Sequence, residues 1–365
     1  MTPPRRTLVI LGLSITSSWG NGHATTYRAL VRALAGRGHE VLFLERDVEW
    51  YAANRDLPNP PGCRTVLYGS IDELVDLHGE AVRLADCVVV GSYVPDGIAV
   101  GDWVLETAAG VTAFYDIDTP ITLAALGAGE PTYLDARQIR RYDLYLSFAG
   151  GPALETLERD FGAARARALY CSFDPAIYYP VARAPRWDLG YMGTYSDDRQ
   201  PGLERLLMEP ARALPDCVFA VAGPNHRGSD RWPINVTYLP HLAPHEHRAF
   251  YTSQRFTLNL TRAEMRRVGY SPSVRLFEAA ACGTPVVSDW WPGLDQFFTP
   301  GRDLLIAETP EHVRRYLTDV SPSDAAALGA RARAHVLAEH APHRRADQLE
   351  TYVAEVLACR RERAS

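Results

Sequence analysis

The residues able to do chemistry stand where a plain core would place apolar ones. In "SVRLFEAAACGTPVVSD", Ser273 to Asp289, an apolar helical run carries Glu278 and then passes through Cys-Gly-Thr-Pro into an apolar strand. Ionised carboxylates are rarely buried alone. Glu278 therefore lies at an exposed helix edge, pairs with Arg275 one turn earlier, or accepts hydroxyl hydrogen bonds from a polar ligand. His23 follows Gly20-Asn21-Gly22 directly after an apolar strand, at the start of a helix, where an imidazole's pKa tends downward and suits a neutral base or donor. "FYDIDTP" carries Asp116 and Asp118 at a strand end. Their Asp-x-Asp spacing invites a metal, but a single such pair is a common accident, so a base or polar anchor is expected and no metal. The "HEH" of His245 to His247 is weak as a site, because neighbours two apart diverge on a helix. Trp290 and Trp291 suit either stacking on a ligand or the core.

Bulk composition bounds what these residues can serve. With 365 residues, 47% hydrophobic and 22% charged, the chain is long enough for two ordinary domains and is neither disordered nor fibrous in type. All 38 basic residues are arginine, so any anion site must be built from Arg, His, hydroxyls or backbone N–H groups. A formal charge of −6 argues against a nucleic-acid surface, and no nucleic-acid partner is expected. The six cysteines are scattered without a Cys-x-x-Cys pair, which suggests neither zinc nor a disulfide framework and fits a reducing cytoplasm. The opening apolar run, Leu8 to Leu13, reads as a first strand rather than a signal peptide, and no stretch approaches a membrane span. A soluble, cytoplasmic protein is the expectation.

The elements that must position the candidates fall into two series. "TLVILGL", a Ser/Gly loop, the amphipathic helix from His23 closed by Gly38 and the strand Val41 to Leu44 form a β-loop-α-β unit, followed by strands near Val88, Phe114 and Leu144. "ALYCSFDPAIYYPVARAPRW" has three prolines and no helical period, and reads as a linker. A second series follows: strand "WDLGYMGTY", helix "GLERLLMEPARAL", strands "CVFAVAG" and "VTYLPHL", helix "PHEHRAFYTSQ", strand "FTLNLT", the helix with Glu278 and strand "TPVVSD". Alternating strands and helices imply parallel sheets covered on both faces. The expected architecture is α/β, two doubly wound Rossmann-like domains facing a central cleft, with domains at 1–178 and 179–342 and a last helix over 343–365 packing back across the join.

The second series resembles the nucleotide-sugar domain of GT-B glycosyltransferases, of the spore-maturation-protein (CgeB-like) group within the family 1 and 4-like enzymes. The resemblance rests on "LFEAAACGTPVV" and "WPGLDQFFTPGRDLL", and extends to "GYMGTYSDDRQPGLERLL", "LPHLAPHEHRAFY" and the join "FDPAIYYP". It implies a GT-B fold, transfer of a sugar from a nucleoside diphosphate to a small-molecule or glycan acceptor, and no cofactor besides that co-substrate. It also implies that Glu278 accepts the ribose hydroxyls. The turn at Gly193 and Thr194, with Arg199 and Arg275, would cradle the diphosphate, offsetting charge in place of a metal. Ser273 and His241 join this donor set. The resemblance assigns the first half to the acceptor, with Gly20 and Gly22 lining the loop near the donor phosphate and His23, Asp116 and Asp118 competing as catalytic groups. One departure stands out: retaining members carry a second Glu eight positions before Glu278, where this chain has Tyr270. Sugar contacts are then expected from "RRVGYSPS". A dinucleotide reading of Gly-Asn-Gly has weaker support, since the third glycine is absent and only Glu45 could serve as the acidic partner. A sugar-nucleotide epimerase and a non-enzymatic scaffold of the same architecture are the alternatives; oligomeric state is left open.

Overall fold

In the first series, short apolar stretches rich in β-branched residues alternate with amphipathic helices, and each stretch forms one parallel strand. The computed structural model describes residues 4–130 and 132–364. These strands are β1 Thr7–Gly12, β2 Glu40–Arg46, β3 Arg64–Tyr68, β4 Cys87–Gly91, β5 Val111–Asp116, β6 Leu144–Ser147 and β7 Ala166–Ala168. They pair in the order β3-β2-β1-β4-β5-β6-β7. The central strands β4 and β5 are buried along their whole length, as a sheet covered on both faces requires. Three short edge strands escape sequence reading: β3, β7 and, in the second sheet, β13 Leu305–Ile306. Each has two to five residues, too few to show a period.

The second sheet contains β8 Trp187–Met192, β9 Phe219–Ala222, β10 Val236–Leu239, β11 Gln254–Asn259, β12 Val286–Ser288 and β13, in the order β10-β9-β8-β11-β12-β13. Counted from its own first strand this is 3-2-1-4-5-6, the winding that the first sheet also follows. All pairings in both sheets are parallel. In each sheet the winding therefore reverses beside its first strand, at β1/β4 and at β8/β11, and ligands of open α/β sheets bind at the carboxyl ends there. The helix over 200–213 opens into a π turn at Glu204–Met208 just before Pro210, whose missing N–H interrupts the regular ladder.

The chain divides into two compact units, 1–172 with 342–365, and 173–341. The helix Pro342–Ala364 thus belongs with the first sheet. It packs on the helix His23–Gly36 and on β5. Glu350 ties it down. The carboxylate accepts from Arg37 Nε and Nη2 and from His39 Nε2, each at 2.6 Å. His39 Nδ1 accepts the Arg6 N–H, so Nε2 carries the proton. None of the six cysteines is in a disulfide among the described residues. No helix among the described residues is long and apolar enough to cross a membrane.

Glu350→Ala should leave Arg37 and His39 without their shared acceptor. We expect it to lower the stability of the full chain by about 2–4 kcal/mol in denaturant unfolding.

Candidate functional site

In the second unit, polar residues gather where β8 and β11 end. Arg275, second residue of the helix Val274–Ala281, is 8% exposed and reaches back across both strand ends. Its Nε donates to the Met192 carbonyl and its Nη1 to Asn259 Oδ1 at 2.9 Å, and the guanidinium lies 5.1 Å from the centre of the Tyr191 ring. Its Nη2 passes so close to Gly193 that a Cβ there would sit 2.8 Å away, which is why this position holds glycine. Ser273 begins the helix without capping it. Its hydroxyl turns to Asn259 Oδ1 at 3.1 Å, so the first amides of the helix have no side-chain cap. Asn259 is oriented in turn by donation from its amide nitrogen to Ser288 Oγ at 3.0 Å.

Gly193 and Thr194 follow β8 as expected, but the N–H of Gly193 is committed to the Ala222 carbonyl at 2.8 Å and is no ligand donor. Arg199 donates through Nη2 to the Thr194 carbonyl at 3.0 Å, while its buried Nε has no hydrogen-bond partner among the described residues. Burial, with Arg275 and Arg262 nearby, pulls its pKa below the usual guanidinium range. The structure thus brings Gly193, Thr194, Arg199, Ser273 and Arg275 together. His241 lies exposed between β10 and the helix Pro244–Thr252.

Glu278 lies one turn beyond Arg275, 4% exposed, and forms no ion pair with it within 4 Å. Instead Oε2 accepts from the Tyr251 hydroxyl at 3.1 Å, and Tyr178 also hydrogen-bonds the carboxyl. Burial pushes its pKa up to about 7, against the pull of the two tyrosines and Arg275. Tyr178 in turn lies 3.3 Å from His247 Nδ1, whose pKa burial drives down to about 4. His247 points inward and His245 outward, as the two-residue spacing requires. Tyr270 has φ +52, a strained value for a residue with a side chain, and its N–H donates to the Pro292 carbonyl at 2.7 Å. Its ring lies over Gly293, where a Cβ would sit 2.4 Å from the ring. Trp291 is core, and Trp290 is partly exposed.

In the first unit the loop after β1 is pinned from several directions. Glu45, fully buried on β2, accepts from Ser14 Oγ, the Ile15 and Thr16 amides and Thr16 Oγ1 at 2.6–3.0 Å. These donors fill its lone pairs, so it cannot be the ribose acceptor of a dinucleotide site. Asn21 donates to the Ser14 and Ser17 carbonyls and accepts the His23 N–H at 3.1 Å. Gly20 (φ +60) and Gly22 have open space where a Cβ would go. His23 opens the helix and its pKa is pushed down to about 4; the main cause is burial, opposed by the charge of Asp118. Its Nδ1 is buried with no hydrogen-bond partner among the described residues.

Asp116 and Asp118 part ways. Asp116 is fully buried and accepts from Tyr145, Thr122, Tyr133 and the Asp118 amide at 2.6–3.3 Å, so it anchors the strand end and has no free lone pair for a metal or a substrate proton. Burial raises its pKa to about 6. Asp118 is half-buried and accepts from the Tyr93 hydroxyl at 2.8 Å. Tyr93 has φ +63, and its ring lies 5.6 Å from that of His23. Sequence reading missed Tyr93, Tyr178, Tyr251 and Asn259; of these only Asn259, a polar residue ending an apolar strand, carried a signal.

Residues 199–351 match the family model described as glycosyl transferase-like. Among solved structures, sucrose-phosphate synthase from Thermosynechococcus elongatus superposes with TM-score 0.70 at 16% identity, covering 97% of this chain and 100% of that one. Anabaena HepE in complex with UDP and glucose gives 0.67 at 13%, covering 97% and 100%. An α-glucosyltransferase in complex with UDP-glucose and abasic DNA gives 0.68 at 12%, covering 96% and 100%. The fold is GT-B. No curated protein matches the chain in sequence. Within the GT-B fold, Arg275 and Glu278 both fall inside the matched segment.

The raised pKa of Glu278 has a sign that can be measured. Unfolded, the carboxyl ionises near its model value of 4.5; folded, it holds its proton up to about 7, so its contribution to stability is present at low pH and lost as pH rises through 7. Glu278→Gln should therefore stabilise the ligand-free protein at pH 8 by up to ~3 kcal/mol and change it little at pH 4, read from unfolding curves at both values.

Proposed function

We propose that this chain is a glycosyltransferase that moves a sugar from a nucleoside diphosphate sugar, with UDP-sugars as first candidates, to a hydroxyl of a small-molecule or glycan acceptor. The observation that carries it is the pair Arg275 and Glu278 on one helix, at the winding reversal of the second sheet and within the segment matching the glycosyl transferase-like model. Arg275 and Arg199, with the Thr194 amide and the first turn of the helix Val274–Ala281, supply positive charge and N–H donors for a diphosphate. Glu278 supplies a carboxylate for ribose hydroxyls. UDP is the nucleotide named with HepE and the α-glucosyltransferase, which supports trying it first. The finer likeness to the spore-maturation group rests on the motifs around "LFEAAACGTPVV".

In the reaction, an acceptor hydroxyl oxygen attacks the anomeric carbon as the bond from that carbon to the β-phosphate oxygen breaks. The leaving diphosphate takes the bonding electrons, and the guanidinium groups offset its growing charge without a metal. The acceptor's proton goes to a base. Of the three candidates, Asp116 is saturated by donors, whereas Asp118 is half-buried and accepts from the Tyr93 hydroxyl with lone pairs to spare; Asp118 is taken as the base and His23 as the group that orients the hydroxyl. The net charge of −6 favours a neutral or glycan acceptor over nucleic acid.

Calorimetry with UDP tests the donor half: Glu278→Ala should weaken binding by ~1–3 kcal/mol, and unchanged affinity in a folded variant removes the ribose assignment. Arg275→Ala should lower turnover of a UDP-sugar, transfer or slow hydrolysis, by more than it lowers UDP affinity. On the acceptor side, Asp118→Asn should reduce transfer at least ~10²-fold with UDP binding intact. If His23→Ala matches that loss while Asp118→Asn is active, the roles of the two are exchanged.

A further inference from the structure

The turn after β8 is held by a histidine on another strand's loop. His226, following β9, is 7% exposed, and its Nε2 lies 2.9 Å from the Gly193 carbonyl oxygen. A carbonyl oxygen only accepts, so Nε2 carries the proton and Nδ1 a lone pair. That Nδ1 is buried without a hydrogen-bond partner among the described residues. The rings of Tyr191, Tyr195, Trp232 and Tyr238 surround the imidazole edge-on, with centroids 5.9–6.3 Å away. Burial lowers its pKa, which keeps it neutral at pH 7. Gly223 crosses so near that a Cβ would lie 2.2 Å from the same Gly193 oxygen, and the Tyr238 hydroxyl secures the Gly223 carbonyl at 3.1 Å.

We infer that His226 is a positioning residue for the diphosphate: by holding the Gly193 carbonyl, it fixes the direction of the Thr194 N–H. The two groups share one planar trans peptide and point opposite ways, so fixing the oxygen on the His226 side fixes the amide on the other. Glycine offers little resistance to a peptide flip. A flip here would turn a carbonyl oxygen towards a phosphate and lose the donor. Since the Gly193 N–H is already spent on Ala222, Thr194 supplies the first amide this turn can offer. Four aromatic edges around a small buried ring leave it no alternative orientation, which is what a fixed donor needs.

The inference rests on the proposed donor site, and its test separates the two. UDP and uridine are titrated calorimetrically into the full chain, since only UDP carries the phosphates. His226→Phe keeps the aromatic volume but loses the donor; it should weaken UDP on the order of tenfold or more while leaving uridine unchanged. His226→Gln, which keeps an N–H at similar reach, should recover most of the UDP affinity. Equal UDP affinity in wild type and His226→Phe overturns this inference alone, whereas a wild-type chain that binds no UDP overturns the donor reading and this inference together. If thermal unfolding shows His226→Phe to be unfolded, His226→Ala takes its place: weakened UDP binding with uridine binding unchanged supports the inference, and UDP affinity equal to wild type overturns it.

Discussion

A guanidinium withdrawn from water with no carboxylate in direct contact is the constraint around which the second unit is arranged. Arg275 is seated on a main-chain carbonyl, an amide oxygen and the face of a tyrosine, all neutral. Such a seat engages Nε and Nη1 without a direct ion pair, while Glu278 and Asp289 act on the charge only through their fields. The neighbours follow from it. Asn259 must present its oxygen, so its nitrogen is held by Ser288; Ser273 is diverted from capping to the same oxygen; Gly193 must lack a side chain. Lysine could not replace this arrangement, because a point ammonium has no planar fork to span two strand ends.

The first unit solves the opposite problem with the same logic. Two of its buried carboxylates, Glu45 and Asp116, are saturated by hydroxyls and amides rather than by cations. Each is thereby withdrawn from chemistry and turned into an anchor, Glu45 for the loop leading to Gly20 and Asp116 for the turn presenting Asp118. Between them they leave His23 and Asp118 as the groups with unspent capacity at this sheet edge. The Arg28 guanidinium extends the loop's anchorage by holding the Ile15 carbonyl and, in a fork, Asp56, which accepts the Ser18 amide.

Much of this was legible in the residues. Parallel α/β layering followed from the alternation of apolar strands and amphipathic helices, and the question of how Glu278 and Arg275 are accommodated from charge inside an apolar helix. Other features were not readable, because they depend on contacts between distant segments. Asp116 and Asp118 look alike in sequence, and only the hydroxyls of Tyr133 and Tyr145, from later elements, separate them. His226 sits in a polar loop, "GPNHRGSD", where nothing local reveals that four aromatic rings close over it. The cause of the low His23 pKa was also misplaced: burial dominates, where the helix terminus had been the expected source.

The helix Pro342–Ala364 has a consequence for how the chain matures. It completes the packing of the first sheet, yet 169 residues of the second unit stand between it and the rest of that sheet's chain. During synthesis the first sheet therefore emerges with Arg37, His39 and the exposed flank of its first helix still waiting for Glu350. The first unit therefore cannot be completed until the whole of the second has been synthesised, so folding strictly domain by domain from the amino end does not suffice for this chain. Until that helix has been made, Arg37 and His39 lack the carboxylate that holds them together in the folded unit.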